Sequence, residues 1–248
     1  MPIVNDLRVR IFADGADLDA IRTLAANPAI QGFTTNPTLM RKAGVTDYAG
    51  FAHDAIDVID GRPISFEVFS DEFDEMETQA REIATWAPNV YVKIPVTNTR
   101  GEFSGELLRR LTASGVQVNV TALLTLDQVE RVTDCLSPQV PSCVSVFAGR
   151  IADTGRDPVQ MMAQSVRTIA HLPLAELIWA SPRELLNVFQ ANDIGCHIIT
   201  ATPDVLAKLK LVGRDLAEYS LDTVKMFRND ALAAGFTIEV GQRGTASV

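Results

Sequence analysis

Short apolar, β-branched runs recur along the chain, and helical patterns fill the stretches between them. The runs are VRIFA (9–13), IQGFT (30–34), ISFEVF (64–69), VYVKI (90–94), VQVNV (116–120), CVSVF (143–147), ELIWA (176–180) and CHIIT (196–200). They return about every 25 to 30 residues, the spacing of βα units. Among the helical stretches are DEFDEMETQAREIATW (71–86), whose Asp71 and Glu72 suit a helix N-terminus, and PVQMMAQSVRTIAHL (158–172). Eight strands with crossovers predict a parallel (β/α)8 barrel. An open doubly wound sheet is disfavoured because neither G-x-G-x-x-G nor a Walker A loop is present.

No linker or low-complexity segment interrupts the rhythm. Residues 1–212 are therefore read as the barrel, and 213–248 as an additional C-terminal helix and flexible tail of the same domain. Leu216, Tyr219, Val224 and Phe227 give that helix an apolar side, which suits covering a barrel end or docking on another subunit, so a homo-oligomer is expected. The terminal GQRGTASV reads as unstructured.

Composition narrows the function. The chain has 248 residues, 47% of them hydrophobic, and mean hydropathy is +0.11, enough for a sizeable core. No apolar run approaches the roughly 20 residues of a membrane span, and no signal peptide is evident. Net charge is −9, which argues against a nucleic-acid partner. Three cysteines, Cys135, Cys143 and Cys196, form no C-x-x-C pair, so a reduced, cytoplasmic setting is expected. His53, His171 and His197 fall on no metal-ligand spacing, and neither a metal nor a cofactor is expected.

In a barrel of this kind, chemistry gathers at the C-terminal ends of the strands. Those ends carry Asp14, Thr34, Thr35, Asn36, Glu67, Lys93, Asn119, Thr121, Ser145, Arg150, Ser181 and Arg183, with the last strand contributing nothing evident. Taken alone, each has a plainer reading. Asp14 could cap a helix, Asn36 could open a turn before Pro37, and Arg150 could pair with Asp153. Asn119 and Thr121 could satisfy hydrogen bonds in the barrel. Lys93, set between Val92 and Ile94, could extend its head to water or pair with an acid. Glu67, between Phe66 and Val68, is harder to dismiss. Their convergence on one rim is what the plainer readings leave unexplained. A lysine, two acids and amides without a metal cluster suit imine chemistry, because a desolvated amine is a usable nucleophile. Rim arginines suit a phosphate.

The stretches GFTTNPTLMRKAG, VYVKIPVT, VNVTAL, SVFAGRIADTG and WASPRE resemble, in order, those of the transaldolases and the related fructose-6-phosphate aldolases. IFADGAD resembles the first strand more loosely, and the likeness runs from about residue 9 to 210. It implies class I aldol chemistry on sugar phosphates, with transfer of a dihydroxyacetone unit and a place in the pentose phosphate pathway. Lys93 resembles the Schiff-base lysine, and Asp14 the base for the C4 hydroxyl. Glu67 resembles an acid/base working through a water shared with Thr121. Asn36, Asn119 and Ser145 match groups that hold the dihydroxyacetone part, with Thr34 and Phe147 beside them. Arg150, Ser181 and Arg183 match the phosphate site.

Val146 and Pro182 depart from the usual pattern, and Pro182 adjoins the phosphate site, leaving phosphate or sulfonate open as the acceptor's anionic group. Glu67 with Phe147 is the transaldolase pair, where the aldolases carry Gln and Tyr. An aldolase releasing free dihydroxyacetone and a non-catalytic sugar-phosphate binding barrel stand as alternatives.

Overall fold

A computed structural model describes residues 4–238. Eight parallel strands close on themselves in chain order, with β1 paired to both β2 and β8. The first half runs β1 (Arg10–Asp14), α1 (Leu18–Ala25), β2 (Ile30–Thr34), α2 (Pro37–Lys42), α3 (Tyr48–Val58), β3 (Ile64–Glu67), α4 (Phe73–Ile83) and β4 (Val90–Pro95). Then come α5 (Gly105–Ala113), β5 (Val118–Leu123), α6 (Leu126–Thr133), β6 (Ser142–Val146), α7 (Ala148–Asp153) and α8 (Val159–Ile169). The chain continues through β7 (Ala175–Trp179), α9 (Leu186–Asp193), β8 (Ile198–Ala201), α10 (Pro203–Leu206) and α11 (Leu216–Ala233). This is the (β/α)8 barrel that the apolar runs predict, with strand ends displaced by about three residues at most.

The strands are apolar on both faces because both are covered. Outward residues such as Ile11, Val92, Ile94, Val144 and Leu177 join one large core with the helices. A second, smaller core fills the barrel itself, where Phe12, Cys143, Ile178, Ala180 and Ile198 pack with Tyr91 and Phe147 against them. Gly32 explains how Phe12 fits. A β-carbon at Gly32 would lie 2.4 Å from the Phe12 ring, so only glycine leaves room for it. The helices are capped locally: Asp17 caps α1, Asn36 caps α2 and Asp47 caps α3, while Thr125 and Gln128 form a capping box on α6. Asp71, expected to open α4, instead accepts from the amide and hydroxyl of Thr99.

The barrel, through Lys210, is one compact unit, and the segment from Leu211 is a second. In the second unit, α11 is capped by Asp215, which accepts from the Ala217 and Glu218 amides. Leu216, Val224 and Phe227 are exposed on it. The terminal GQRGTASV lies outside the described residues. No helix among the described residues is long and apolar enough to cross a membrane.

Candidate active site

Alternation along each strand sorts the barrel interior into levels. On β1, Arg10, Phe12 and Asp14 lie two residues apart. Arg10 pairs with Glu176 at the N-terminal end, Phe12 sits in the small inner core, and Asp14 ends in the mouth. On β4, Tyr91 belongs to the inner core and Lys93 stands one level above it. This resolves how a lysine can occupy an apolar strand: Val92 and Ile94 face the helices, and Lys93 faces inward. Its surroundings are polar, which differs from the apolar setting its neighbours in sequence suggest. Lys93 is only 7% exposed, its Nζ donates to the Thr35 carbonyl at 2.8 Å, and Glu67 Oε2 lies 3.1 Å away. Register brings the pair together, since Glu67 and Lys93 are direct neighbours across β3 and β4.

Asp14 does not cap a helix; Asp17 does that. Asp14 instead accepts from Thr34 Oγ1 at 2.8 Å and from Asn36 Nδ2 at 3.2 Å. Thr34 Oγ1 also lies 2.6 Å from Thr200 Oγ1. A hydroxyl has one proton to give, so Thr34 donates to Asp14 and Thr200 donates to Thr34. Burial pushes the Asp14 carboxyl above its ordinary range, while Lys93 and the bonds from Thr34 and Asn36 pull the other way. Asn36 keeps both readings: its Oδ1 caps α2 at the Leu39 amide, and its Nδ2 serves Asp14.

On the opposite wall, Asn119 neighbours Lys93 across β4 and β5. Its Nδ2 donates to Ser65 Oγ at 3.0 Å, and its Oδ1 accepts from Ser145 Oγ at 2.7 Å, which fixes the amide's orientation. Thr121 follows on the same strand, and its buried hydroxyl has no hydrogen-bond partner among the described residues. The β5–β6 register jumps between Val120 and Leu123, where Ala122 has φ +67°. This bulge returns Leu123 to the outer core and leaves Thr121 lining the mouth.

The rim after β6 and β7 carries the cations. The Arg150 guanidinium lies 5.4 Å from the centre of the Phe147 ring. Arg150 is not the partner of Asp153. That carboxylate takes Arg183 instead, Nε at 2.9 Å and Nη2 at 2.5 Å, which holds it below the usual carboxylate range. Ser181, two residues before Arg183, has φ +57°. Non-glycine residues in that region cost about 1–3 kcal/mol and cluster where a site dictates the backbone. Gly149 is packed so closely that a β-carbon would fall 1.5 Å from the Ser181 carbonyl oxygen.

The mouth forms one cavity of about 660 Å³. Twelve of the thirteen residues selected from sequence, Asp14, Thr34, Asn36, Glu67, Lys93, Asn119, Thr121, Ser145, Phe147, Arg150, Ser181 and Arg183, line it. Thr35 does not, because its buried hydroxyl turns away to donate to the Ser65 carbonyl at 2.9 Å. The sequence reading missed Thr200, which corrects the expectation that the last strand contributes nothing. It also missed Ser65 and the rim residue Lys42. Position Thr200 carries a signal in hindsight, a hydroxyl at the C-terminal end of CHIIT, two residues after inward Ile198.

A family model described as Transaldolase/Fructose-6-phosphate aldolase matches residues 11–239. A protein named "Probable transaldolase" from Thermoanaerobacter sp. (strain X514) is 32% identical over 93% of this chain and 100% of its own length. "Probable transaldolase 2" of Listeria monocytogenes is 32% identical over 81% of this chain and 88% of its own. Among solved structures, KGPDC from Streptococcus mutans superposes with a TM-score of 0.54 over 79% of this chain and 88% of that chain, at 8% identity, a likeness of fold alone. The closed barrel and the relatives it matches together define a (β/α)8 enzyme. The chain belongs to the transaldolase/fructose-6-phosphate aldolase family.

Proposed function

We propose that the protein transfers a dihydroxyacetone unit from a ketose phosphate, fructose 6-phosphate or sedoheptulose 7-phosphate, to an aldose phosphate through a Schiff base on Lys93. The observation that carries this reading is the buried Lys93 Nζ, 3.1 Å from the Glu67 carboxylate at the mouth of the barrel. Glu67 is within proton-transfer reach. It takes the proton that Nζ must lose to attack the C2 carbonyl, and returns one as the carbinolamine expels water. The free hydroxyl of Thr121 suits holding that water. Asp14 then removes the C4 hydroxyl proton, the C3–C4 bond breaks, and its electron pair runs into the iminium to give an enamine on Lys93. The raised affinity of Asp14 for a proton fits it for that step. The aldehyde leaves, an acceptor aldehyde takes its place, and the steps reverse.

Asn36, Asn119 and Ser145 hold the dihydroxyacetone hydroxyls in this reading, and Thr34 positions Asp14. Arg150, Ser181 and Arg183 receive the phosphate. Phe147, with no hydroxyl, brings no proton donor to the enamine, which favours waiting for an acceptor over hydrolysis. The exposed apolar side chains of α11 support a homo-oligomer, and the three buried free thiols support a reduced, cytoplasmic setting.

Borohydride reduction in the presence of fructose 6-phosphate, followed by peptide mapping, tests the reading. A dihydroxyacetone adduct on Lys93, absent from Lys93→Ala along with turnover, is expected. An adduct on another lysine with an active Lys93→Ala protein overturns it.

A further inference from the structure

The ladder between β2 and β3 is short. Its register pairs Phe33 with Ile64 and Thr34 with Ser65, and beyond it the Thr35 amide donates to the Ser65 carbonyl at 3.2 Å. Successive residues of a strand turn their backbone groups to opposite neighbours. Ile64 and Val68 donate towards β4, to the carbonyls of Asn89 and Lys93. Glu67, like Ser65, therefore turns its amide and carbonyl towards β2, where the register has already ended. Both groups are met by a side chain instead. The Tyr48 hydroxyl accepts from the Glu67 amide at 2.8 Å and donates to the Glu67 carbonyl at 2.9 Å.

Tyr48 is itself fixed. It is the first residue of α3, next to the capping Asp47. Its ring packs edge-on against Phe66, Phe69 and Trp86, with centroids 6.2, 4.6 and 5.6 Å away. Burial raises its phenol further above neutrality, so it keeps the proton it donates.

We propose that Tyr48 is a positioning residue for Glu67, standing in for the missing β2 partner and fixing the backbone from which the carboxylate reaches Lys93 Nζ. The proposal rests on the reading of Glu67 as the acid/base of a Schiff base on Lys93. Tyr48 acts through Glu67, so its loss shows in the chemical step and not in the hold on the sugar phosphate.

A double-mutant cycle of Tyr48→Phe and Glu67→Gln tests this, with transfer from fructose 6-phosphate to erythrose 4-phosphate as the assay. Tyr48→Phe keeps the ring in its aromatic setting. It is expected to lower kcat about tenfold, the scale of leaving buried backbone groups unpaired, with KM held within about twofold. In the Glu67→Gln background the same change is expected to alter kcat by less than about twofold, because the group it positions is gone. An unchanged kcat, a KM that rises with the fall in kcat, or an equal tenfold loss in both backgrounds overturns the proposal. If Tyr48→Phe does not fold, Phe69→Ala replaces it in the cycle. That change removes the ring packed nearest to Tyr48 from an exposed position. A loss of kcat that vanishes with Glu67→Gln supports the proposal, and an unchanged kcat or an additive loss overturns it. Borohydride trapping on the unmodified protein separates the two levels. No adduct on Lys93 removes the Schiff-base reading and the proposal with it, whereas an adduct with a silent Tyr48 removes the proposal alone.

Discussion

Asp153 grips Arg183 through two of the five N–H donors of its guanidinium, although thirty residues separate them and Arg150 is nearer in sequence. The grip uses Nε and Nη2 and so sets the direction in which the guanidinium points. Arg183 holds Asp153 below the usual carboxylate range. A depressed carboxyl contributes its pairing above its unfolded value and loses it only as pH falls through the lower folded value, so the grip persists in mild acid.

Removing Arg183 should therefore act on the anionic end of the substrate. Arg183→Ala is expected to raise KM for fructose 6-phosphate about ten- to a hundredfold, the equivalent of about 1.5–3 kcal/mol for a charge-assisted hydrogen bond. KM for unphosphorylated fructose should change far less. Equal losses on both sugars would make the arginine structural.

Gly149 governs the same rim from beneath. A methyl group there would meet backbone, 1.5 Å from the Ser181 oxygen and 3.3 Å from Arg183 Nε. Backbone cannot turn aside as a side-chain tip can, so Gly149→Ala should displace the segment bearing Ser181 and Arg183. The expected result is a lower melting temperature together with a raised KM for phosphorylated sugars. An unaltered KM would show that the rim tolerates the shift.

Asp14 should cost the protein stability. Its folded-state proton affinity is raised by burial above the unfolded value, so the folded state is penalised when the group is ionised. The penalty is absent below the unfolded pKa, grows as pH rises towards the folded one, and is complete above it. Asp14→Asn removes the charge and keeps one acceptor oxygen, for Thr34, while giving up the second oxygen that accepts from Asn36. It is expected to raise the melting temperature at neutral pH by on the order of a few degrees. The gain should shrink as pH falls towards the ordinary carboxylate range, and kcat should fall about a hundredfold or more as the base is lost. Melting curves across pH check the first part; a gain that grows in acid would reverse the assignment.

The proposed transfer reading makes Phe147 the residue that separates transfer from release. Phe147→Tyr places a phenol at the mouth, where it can protonate the enamine or orient a water. Free dihydroxyacetone, measured without an acceptor aldehyde, should then increase several-fold over the unmodified protein, by an order of magnitude at most if one general acid is added imperfectly placed. Should the unmodified protein already release it as fast as it transfers it, the activity is that of an aldolase.

The sequence by itself determined the barrel and most of the composition of its mouth. Strands buried on both faces must be apolar at every outward position, so eight β-branched runs stand out locally. Inward polar residues at their C-terminal ends, Asp14, Glu67, Lys93 and Asn119 among them, break that pattern and are legible one strand at a time. Tertiary structure decided which of these groups meet. Asp153 is three residues from Arg150 on α7, yet closure of the barrel sets it against Arg183 beyond β7. Asp14 and Asp17 are alike as helix caps in sequence, and only the neighbouring β2 claims the first for Thr34 and Asn36. Thr200 and Ser65 are small hydroxyls in apolar runs, unremarkable until β8 lies beside β1 and Ser65 meets the Asn119 amide. Tyr48 lies nineteen residues from Glu67, at the start of a helix whose ring contacts read as ordinary packing. Its hydroxyl matters because the β2–β3 register ends early, and where a ladder ends depends on the twist and closure of all eight strands.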